Sequence, residues 1–382
     1  MTISCRDCDS IPKVANAGAI VSEGGNSVQI MHNGVRVIAG GYYGDWMAEI
    51  IQRLQGHHEP QEELVFNEIL KHVPRRATML ELGGFWSYYS LWFLNDAPDF
   101  RRAIVIEPDP DNLSVGQTNA KINGRKIEFI QASVGEISSE PRAFQAESAG
   151  MIAVPQVSVP DLFSARDIGY LDILHCDTQG AETAIIRSCE TLMRERRIRF
   201  VVVSTHAHQI SGDPLTHQRC LSMLKEFGGR ILAEHDVHES FSGDGLIAAY
   251  FGAEPIDWPQ LDIGYNRYST SLFPNPLYEL DEALTKFSTL ELRSQQQEQQ
   301  ILAVLSDRDE RIKSLEGENK SLRLLLDAAA ENLRSAQEDA ESAKWENDKL
   351  RASNASILSS TSWRVTAPMR TFARIFKRQR PG

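Results

Sequence analysis

Residues able to hold a ligand or move a proton recur where short apolar runs of this chain end. The run Met79–Leu82 leads into Gly83-Gly84-Phe85-Trp86-Ser87-Tyr88-Tyr89 and carries Glu81 two places before the first glycine. Glycine lets a backbone turn tightly and approach a ligand closely. The next run ends in Ile106-Glu107-Pro108-Asp109, and an acid there is placed to accept hydrogen bonds from ribose hydroxyls. A full GxGxxG fingerprint and its pyrophosphate cradle are missing. That favours a nucleoside cofactor without a pyrophosphate, and S-adenosylmethionine fits. The third run ends near Ser133, where an adenine ring would lie. The expected cofactor set is Glu81, Gly83, Gly84, Tyr88, Glu107, Asp109 and Ser133.

Two later runs end in imidazoles and a carboxylate, His175-Cys176-Asp177 and His206-Ala207-His208. The two-residue period of a strand puts His175 and Asp177 on one side, and His206 and His208 on one side. His206 is the expected general base, because an unperturbed imidazole titrates near neutral pH. Asp177 would orient the acceptor or the base, with His175 the third catalytic member. Oxygen and imidazole donors also permit a divalent ion, but no metal is assigned. Upstream, Gln55-Gly56-His57-His58-Glu59-Pro60-Gln61-Glu62-Glu63 precedes a helical pattern. From it His58 and Glu59, with Gln179 and His208, form the expected acceptor-binding set. The plainer reading is a solvated helix start, with Glu62 and Glu63 near the positive dipole end.

The elements that must position these groups alternate. Strands are expected at Met79–Leu82, Ala103–Ile106, Ile127–Gln131, Leu171–Cys176, Phe200–Ser204, Arg230–Glu234 and Leu246–Phe251, with helical patterns between most of them. Only the last two lack a helix-length gap, so they should pair antiparallel. This is an α/β order with a mostly parallel sheet, whose ligands bind outside the carboxyl ends of the strands.

The runs Leu80-Glu81-Leu82-Gly83…Tyr88-Tyr89-Ser90, Ile106-Glu107-Pro108-Asp109-Pro110…Asn119…Asn123 and Leu171–Glu182 resemble the FkbM family of S-adenosylmethionine-dependent methyltransferases. The likeness spans roughly residues 60–250. It implies a class I methyltransferase fold, cofactor contacts at Glu81, Gly83 and Glu107, and O-methylation of a sugar hydroxyl. Three positions depart from the family pattern. Ser87 stands where a third glycine is common, His175 where a lysine is common, and Gln179 where a glutamate is common. Ser87 leaves open an alternative, a scaffold whose methyltransferase-like domain is inactive. A nicotinamide oxidoreductase is disfavoured by the missing fingerprint.

Charge and composition set the organisation. From Lys349 onward there are eight basic residues and no acid, so a net −12 for the 382 residues becomes −20 over residues 1–348. An acidic body argues against nucleic acid as a partner. Five cysteines in so long a chain do not suggest a disulfide framework. Cys5-x-x-Cys8 is half a zinc pattern; a frayed N-terminus is the plainer expectation. A signal peptide is not visible at the N-terminus.

Between Pro276 and Pro368 there is no proline, and a heptad register runs from Ile301 to Ile357. Leu305, Ile312, Asn319 and Leu326 fall at a; Leu315, Leu322 and Ala329 fall at d. That predicts a coiled coil and a homo-oligomer through residues 301–357. Beyond it, Met369, Phe372, Ile375 and Phe376 share a helical side flanked by Arg370, Arg374, Lys377 and Arg378. This is a short basic interfacial helix suited to peripheral membrane contact. The Ser-Thr-Ser-Trp-Arg-x-Thr-x-Pro run before it resembles segments at the ends of bacterial surface-polysaccharide glycosyltransferases.

The expected domains are an N-terminal extension (1–59), a methyltransferase domain (60–251), a Pro/aromatic linker (252–284), a coiled coil (285–358) and a basic tail (359–382). The expected partners are a glycan or lipid-linked sugar acceptor and glycan-assembly glycosyltransferases. The expected location is the cytoplasm, at the inner face of the membrane.

Overall fold

Long β-branched runs flanked by turn residues become the strands of the central sheet. The structure is a computed structural model that describes residues 1–266 and 276–377. Two compact units divide it, Met1–Ser288 and Thr289–Gly382.

The first unit opens with two 3-10 turns, Thr2–Ser4 and Asp7–Ser10. Next comes an antiparallel meander of β1 (Ile20–Glu23), β2 (Asn26–Ile30) and β3 (Arg36–Ile38), then α1 (Asp45–Arg53) and α2 (Pro60–Lys71). The alternating region follows: β4 (Ala77–Leu82), α3 (Tyr88–Asp96), β5 (Arg101–Ile106), α4 (Pro110–Ile122) and β6 (Ile127–Ile130). A small sheet is inserted next, β7 (Ser133–Val134), β8 (Ser139–Ala146) and β9 (Gly150–Val157), leading to α5 (Val159–Ala165). The alternation resumes with β10 (Leu171–Cys176), α6 (Glu182–Ser188), α7 (Glu190–Arg194), β11 (Ile198–Thr205), α8 (His208–Ser211) and α9 (Thr216–Glu226). It closes with β12 (Arg230–His235) and β13 (Gly245–Tyr250).

The main sheet has seven strands in the order β12-β13-β11-β10-β4-β5-β6. β13 runs antiparallel to both its neighbours, whereas the β11-β10-β4-β5-β6 pairs are parallel. Each of the seven expected strands is in this sheet, and the last two pair antiparallel as their spacing required. Burial on both faces explains why β10 and β13 read as nearly continuous apolar runs. One face packs Phe66, Tyr88, Trp92, Phe93 and Phe200; the other packs Leu80, Ile104, Leu174, Val201 and Ile247. Local chemistry starts the helices. Asp109 caps α4 by accepting from the Asp111 and Asn112 amides, with Pro110 as first helical residue.

Three expectations change here. The N-terminus is not frayed: Cys5, Cys8 and Ile11 are buried, and burial pushes both thiols up to about 12. The segment Gln55–Glu63 is not a solvated helix start. His57, His58, Glu62 and Glu63 are buried, because each finds a polar partner. The Pro/aromatic stretch is in part packed structure. Ile256, Trp258, Leu261 and Ile263 lie on the core, and the Gly264 amide donates to Asp7 Oδ2 at 2.8 Å. Residues 267–275 of the expected linker lie outside the described residues.

The second unit continues α10 (Pro276–Ser359) and adds α11 (Thr361–Val365) and α12 (Ala367–Lys377). Leu305, Ile312, Leu315, Leu322 and Leu326 of the heptad register are exposed in the single chain. The Arg370 guanidinium stacks 3.5 Å from the centre of the Trp363 ring. Arg378 and Arg380 of the basic tail lie outside the described residues. Among the described residues no helix is long and apolar enough to cross a membrane.

Candidate active site

A cavity of about 720 Å³ opens at the carboxyl ends of β4, β5 and β10. Its floor comes from the glycine turn after β4. Gly83 has φ +77, and a Cβ there would lie 1.7 Å from the Asp177 carbonyl oxygen. Only glycine allows the β4 and β10 loops to approach so closely. The same turn carries Ser87 at φ 61, ψ 35, left-handed backbone that glycine adopts without strain. Serine therefore keeps the course a third glycine would give. Gly116 on α4 makes the room, since a Cβ there would lie 2.6 Å from Ser87 Oγ.

Glu81, Gly83, Gly84, Glu107, Asp109, Ser133, His58, Glu59, His175, Asp177 and Gln179 all line this cavity. Glu107 is oriented by backbone: its Oε2 accepts from the Phe85 amide and its Oε1 from the Asp109 amide, each at 2.9 Å. Burial still pushes its carboxyl up to about 7. Burial also pushes Glu81 up to about 7, against the lowering pull of His175. Asp109 behaves differently. Burial would raise it, but the Ser148 hydroxyl and amide outweigh burial and hold it below the usual range. It therefore ties the β8–β9 hairpin to α4 as well as bordering the cavity.

Tyr88, His206 and His208 do not line the cavity. Tyr88 is fully buried in the aromatic core, with its ring centre 5.2 Å from that of His58. The pocket-facing aromatics are Tyr42, Tyr43, Phe85, Trp86, Tyr89 and Phe144. His208 is a buried residue of the short helix α8.

His206 is also buried, and it is enclosed by carboxylates. Its Nδ1 is 3.1 Å from Glu182 Oε1; its Nε2 is 3.2 Å from Asp177 Oδ1 and 3.6 Å from Asp244 Oδ1. Burial alone would lower its pKa, but these bonds and charges raise it well above the usual imidazole value. That shift favours the imidazolium, which has no lone pair with which to accept a proton. The expectation of a His206 base gives way to a cation that holds Asp177. Glu182 in turn accepts from the Thr178 and Gly180 amides, fixing the loop that presents Asp177.

His175 sits at the floor with Nε2 2.7 Å from Glu62 Oε1, and Ser204 Oγ donates to Glu62 Oε2 at 2.7 Å. Burial opposes its charge, but Glu62 raises its pKa above the ordinary value.

Several lining residues escaped the sequence reading. Tyr42 stacks on Trp86 with ring centres 4.5 Å apart, and Tyr43 Oη accepts from Gln179 Nε2 at 2.8 Å. Their setting, Gly40-Gly41-Tyr42-Tyr43-Gly44, was the available signal, because clustered glycines around aromatics mark a shaped loop. Glu147, from the β8–β9 turn, also reaches the cavity.

A parallel sheet with an antiparallel penultimate strand, bearing an acid-lined cavity at its carboxyl edge, defines a Rossmann-like domain built as the class I methyltransferase resemblance implied. Residues 71–231 match the family model of the methyltransferase FkbM domain, and the first unit thus carries an FkbM-type methyltransferase domain. No curated protein matches the chain in sequence. Similar solved structures include the precorrin-6y C5,15-methyltransferase of Geobacter metallireducens GS-15, with 14% identity and a TM-score of 0.33. That match covers 50% of this chain and 86% of that one. TrmK of M. capricolum, solved with S-adenosyl-homocysteine, has 12% identity and a TM-score of 0.33, over 59% of this chain and 85% of that one. At these scores the likenesses carry no further argument.

Proposed function

We propose that this chain is an S-adenosylmethionine-dependent O-methyltransferase whose acceptor is a sugar hydroxyl of a bacterial surface glycan or glycolipid. The observation that carries the reading is the composition of the cavity. Glu59, Glu81, Glu107, Asp109, Glu147 and Asp177 line it, and among the described residues no lysine or arginine does. A sulfonium cofactor with an α-ammonium group suits that field, and Glu107 is placed for ribose hydroxyls. The volume lies within the range of small-molecule sites. The stacked Tyr42 and Trp86 offer flat apolar faces beside polar groups, the pairing a sugar ring needs. The cations of the lining would be imidazoles: carboxylate partners push His58 up to about 10 and raise His175 as well.

When bound, S-adenosylmethionine supplies a methyl group already activated on positive sulfur. The protein's main task is then alignment. Asp177 would accept the hydrogen bond of the attacking hydroxyl and take up its proton as the methyl group passes from sulfur to that oxygen. His206 donates Nε2–H to Asp177 and acts as a positioning residue. Ser87 retains the glycine course of the cofactor turn, which weighs against the inactive-scaffold alternative. The exposed apolar register of α10 supports assembly of several chains. The basic tail would hold them near a lipid-linked acceptor and its glycosyltransferases.

Methyl transfer from labelled cofactor to glycan fractions tests the reading. Asp177→Asn should lower turnover with cofactor affinity retained. Calorimetry that finds no cofactor binding at millimolar concentration would sink the proposal.

A further inference from the structure

A second polar cluster lies behind the cavity wall, outside the groups that the methyl-transfer reading uses. It joins three separated pieces of chain: His32 after β2, His57 before α2, and Glu63 in the first turn of α2. All three side chains are buried, with exposures of 2%, 0% and 0%. One donor atom from each lies within 4.8 Å of the others. His57 Nδ1 contacts Glu63 Oε2, and His32 Nε2 is 3.9 Å from the same oxygen. His32 Nε2 and His57 Nε2 are both buried without a hydrogen-bond partner. An unpaired buried polar atom costs roughly 1–3 kcal/mol, and two side by side in one cluster call for a reason.

We infer that His32, His57 and Glu63 form a structural site for a divalent first-row transition ion of borderline softness, zinc foremost. Two imidazoles and a carboxylate are a donor set that zinc takes at about 2.0–2.2 Å. The outer contacts suit ligating side chains, which keep a second partner on the far atom. His32 Nδ1 faces the Pro12 carbonyl at 3.3 Å, leaving Nε2 for the metal. Glu63 Oε1 accepts from the His58 amide at 2.8 Å and faces His58 Nδ1 at 2.7 Å, so Oε2, which His57 Nδ1 now contacts, is the oxygen that a metal would take.

The His32 and His57 rings stack, with centres 4.1 Å apart and planes 15° apart. Metal binding therefore turns one ring about its Cβ–Cγ bond and draws His32 inward. Cys8 is buried on the 3-10 turn packed against α2 but is not among the donors that lie within 4.8 Å of one another, so the fourth position falls to water unless that turn moves. Such an ion would pin the N-terminal segment to α2, whose preceding residues His58 and Glu59 line the cavity.

The test is metal analysis of the untagged full-length protein, with cobalt(II) titration as an optical probe. One equivalent of bound metal is expected, with a rise in unfolding temperature on loading and tetrahedral cobalt(II) bands in the visible. A sulfur-to-cobalt charge-transfer band that disappears in Cys8→Ser assigns the fourth position; visible bands without it leave the three-residue site standing with water in that place. His32→Asn should lower metal affinity by at least tenfold while the fold, read by circular dichroism, persists. The inference is overturned if the wild-type protein holds no metal as purified and shows neither a thermal shift with zinc(II) nor visible cobalt(II) bands. Because none of these readouts involves methyl transfer, their failure leaves the proposed activity untouched.

Discussion

Replacing Ser87 by glycine should stabilise the protein. Ser87 holds a left-handed backbone conformation at φ 61, ψ 35, which costs a residue bearing a Cβ about 1–2 kcal/mol. Its Oγ is buried without a hydrogen-bond partner, a further cost of about 1–3 kcal/mol. Against these, glycine loses about 0.5–1 kcal/mol of chain entropy, and removing a buried carbon forfeits about 0.8 kcal/mol. The balance is a gain of about 1–2 kcal/mol. For a body of this size that is a rise of roughly 3–6 °C in the unfolding temperature.

The assay is calorimetric or fluorescence-detected melting of the full chain, with cofactor affinity measured beside it. Affinity should stay within a few-fold, because the bond from the Phe85 amide to Glu107 does not involve the serine side chain. A second substitution checks the cause. Gly116→Ala places a Cβ 2.6 Å from Ser87 Oγ and 2.9 Å from the Phe85 carbonyl. It should destabilise the wild type more than the Ser87→Gly variant, with a coupling of about 1 kcal/mol. A melting temperature that is unchanged or lower in Ser87→Gly refutes the strain argument. A cofactor affinity lowered tenfold would instead make the Ser87 hydroxyl a ligand.

Three further outcomes follow from the same coordinates. Glu81 and Glu107 are raised by burial from 4.5 to about 7. Between those values the folded state keeps protons that the unfolded chain has lost. Stability should thus fall as pH rises through 4.5–7, by up to about 1.4 kcal/mol per pH unit for each group, and level off above. Cofactor affinity should rise as pH passes through about 7, where the carboxylates of the folded protein form. Urea midpoints from pH 5 to 8, with a flatter profile in Glu107→Gln, check the sign.

Gly83→Ala meets a backbone oxygen at 1.7 Å with φ +77 and should cost about 3 kcal/mol or prevent folding. Gly124→Ala, at φ +61 with nothing within 4 Å, should cost only about 1 kcal/mol; equal melting temperatures would contradict the packing account. Leu315 and Leu322 are exposed on α10, so replacing both by Asp should convert an oligomer to a monomer in light scattering. A wild-type chain that is already monomeric at micromolar concentration would reject the coiled coil.

The sheet was legible because its strands are buried on both faces and read as mostly apolar runs, as in Leu171–Cys176 and Ile198–Thr205. The β8–β9 hairpin was not. Pro141 and Pro155 interrupt its strands, and proline is confined to edges and bulges. Pro141 falls where the pairing of β8 with β9 shifts register. Positions at the strand ends were equally legible, which is why Glu81, Glu107 and Asp177 come together. Protonation was not. His206 carries the sequence signature of a base, yet Glu182 and Asp244 arrive from other elements and raise its pKa. A single sequence shows which side chains can titrate, but not the charges that tertiary packing sets around them.

The same distinction separates the two halves of the cavity. The half proposed for the cofactor is lined by Glu81, Gly83, Glu107 and Ser133, all inside residues 71–231, the segment that matches the FkbM domain model. Its opposite wall is made of Tyr42, Tyr43, His58 and Glu59, all upstream of that segment. A chemistry shared with the matched family should therefore reside in the first group, while the choice of acceptor should reside in the second. The buried pairing of His57 and His58 with Glu63 is what turns a charged, outwardly unremarkable N-terminal stretch into that wall. Under the proposed activity, exchanging the upstream wall residues should accordingly change which acceptor is methylated before it changes cofactor affinity.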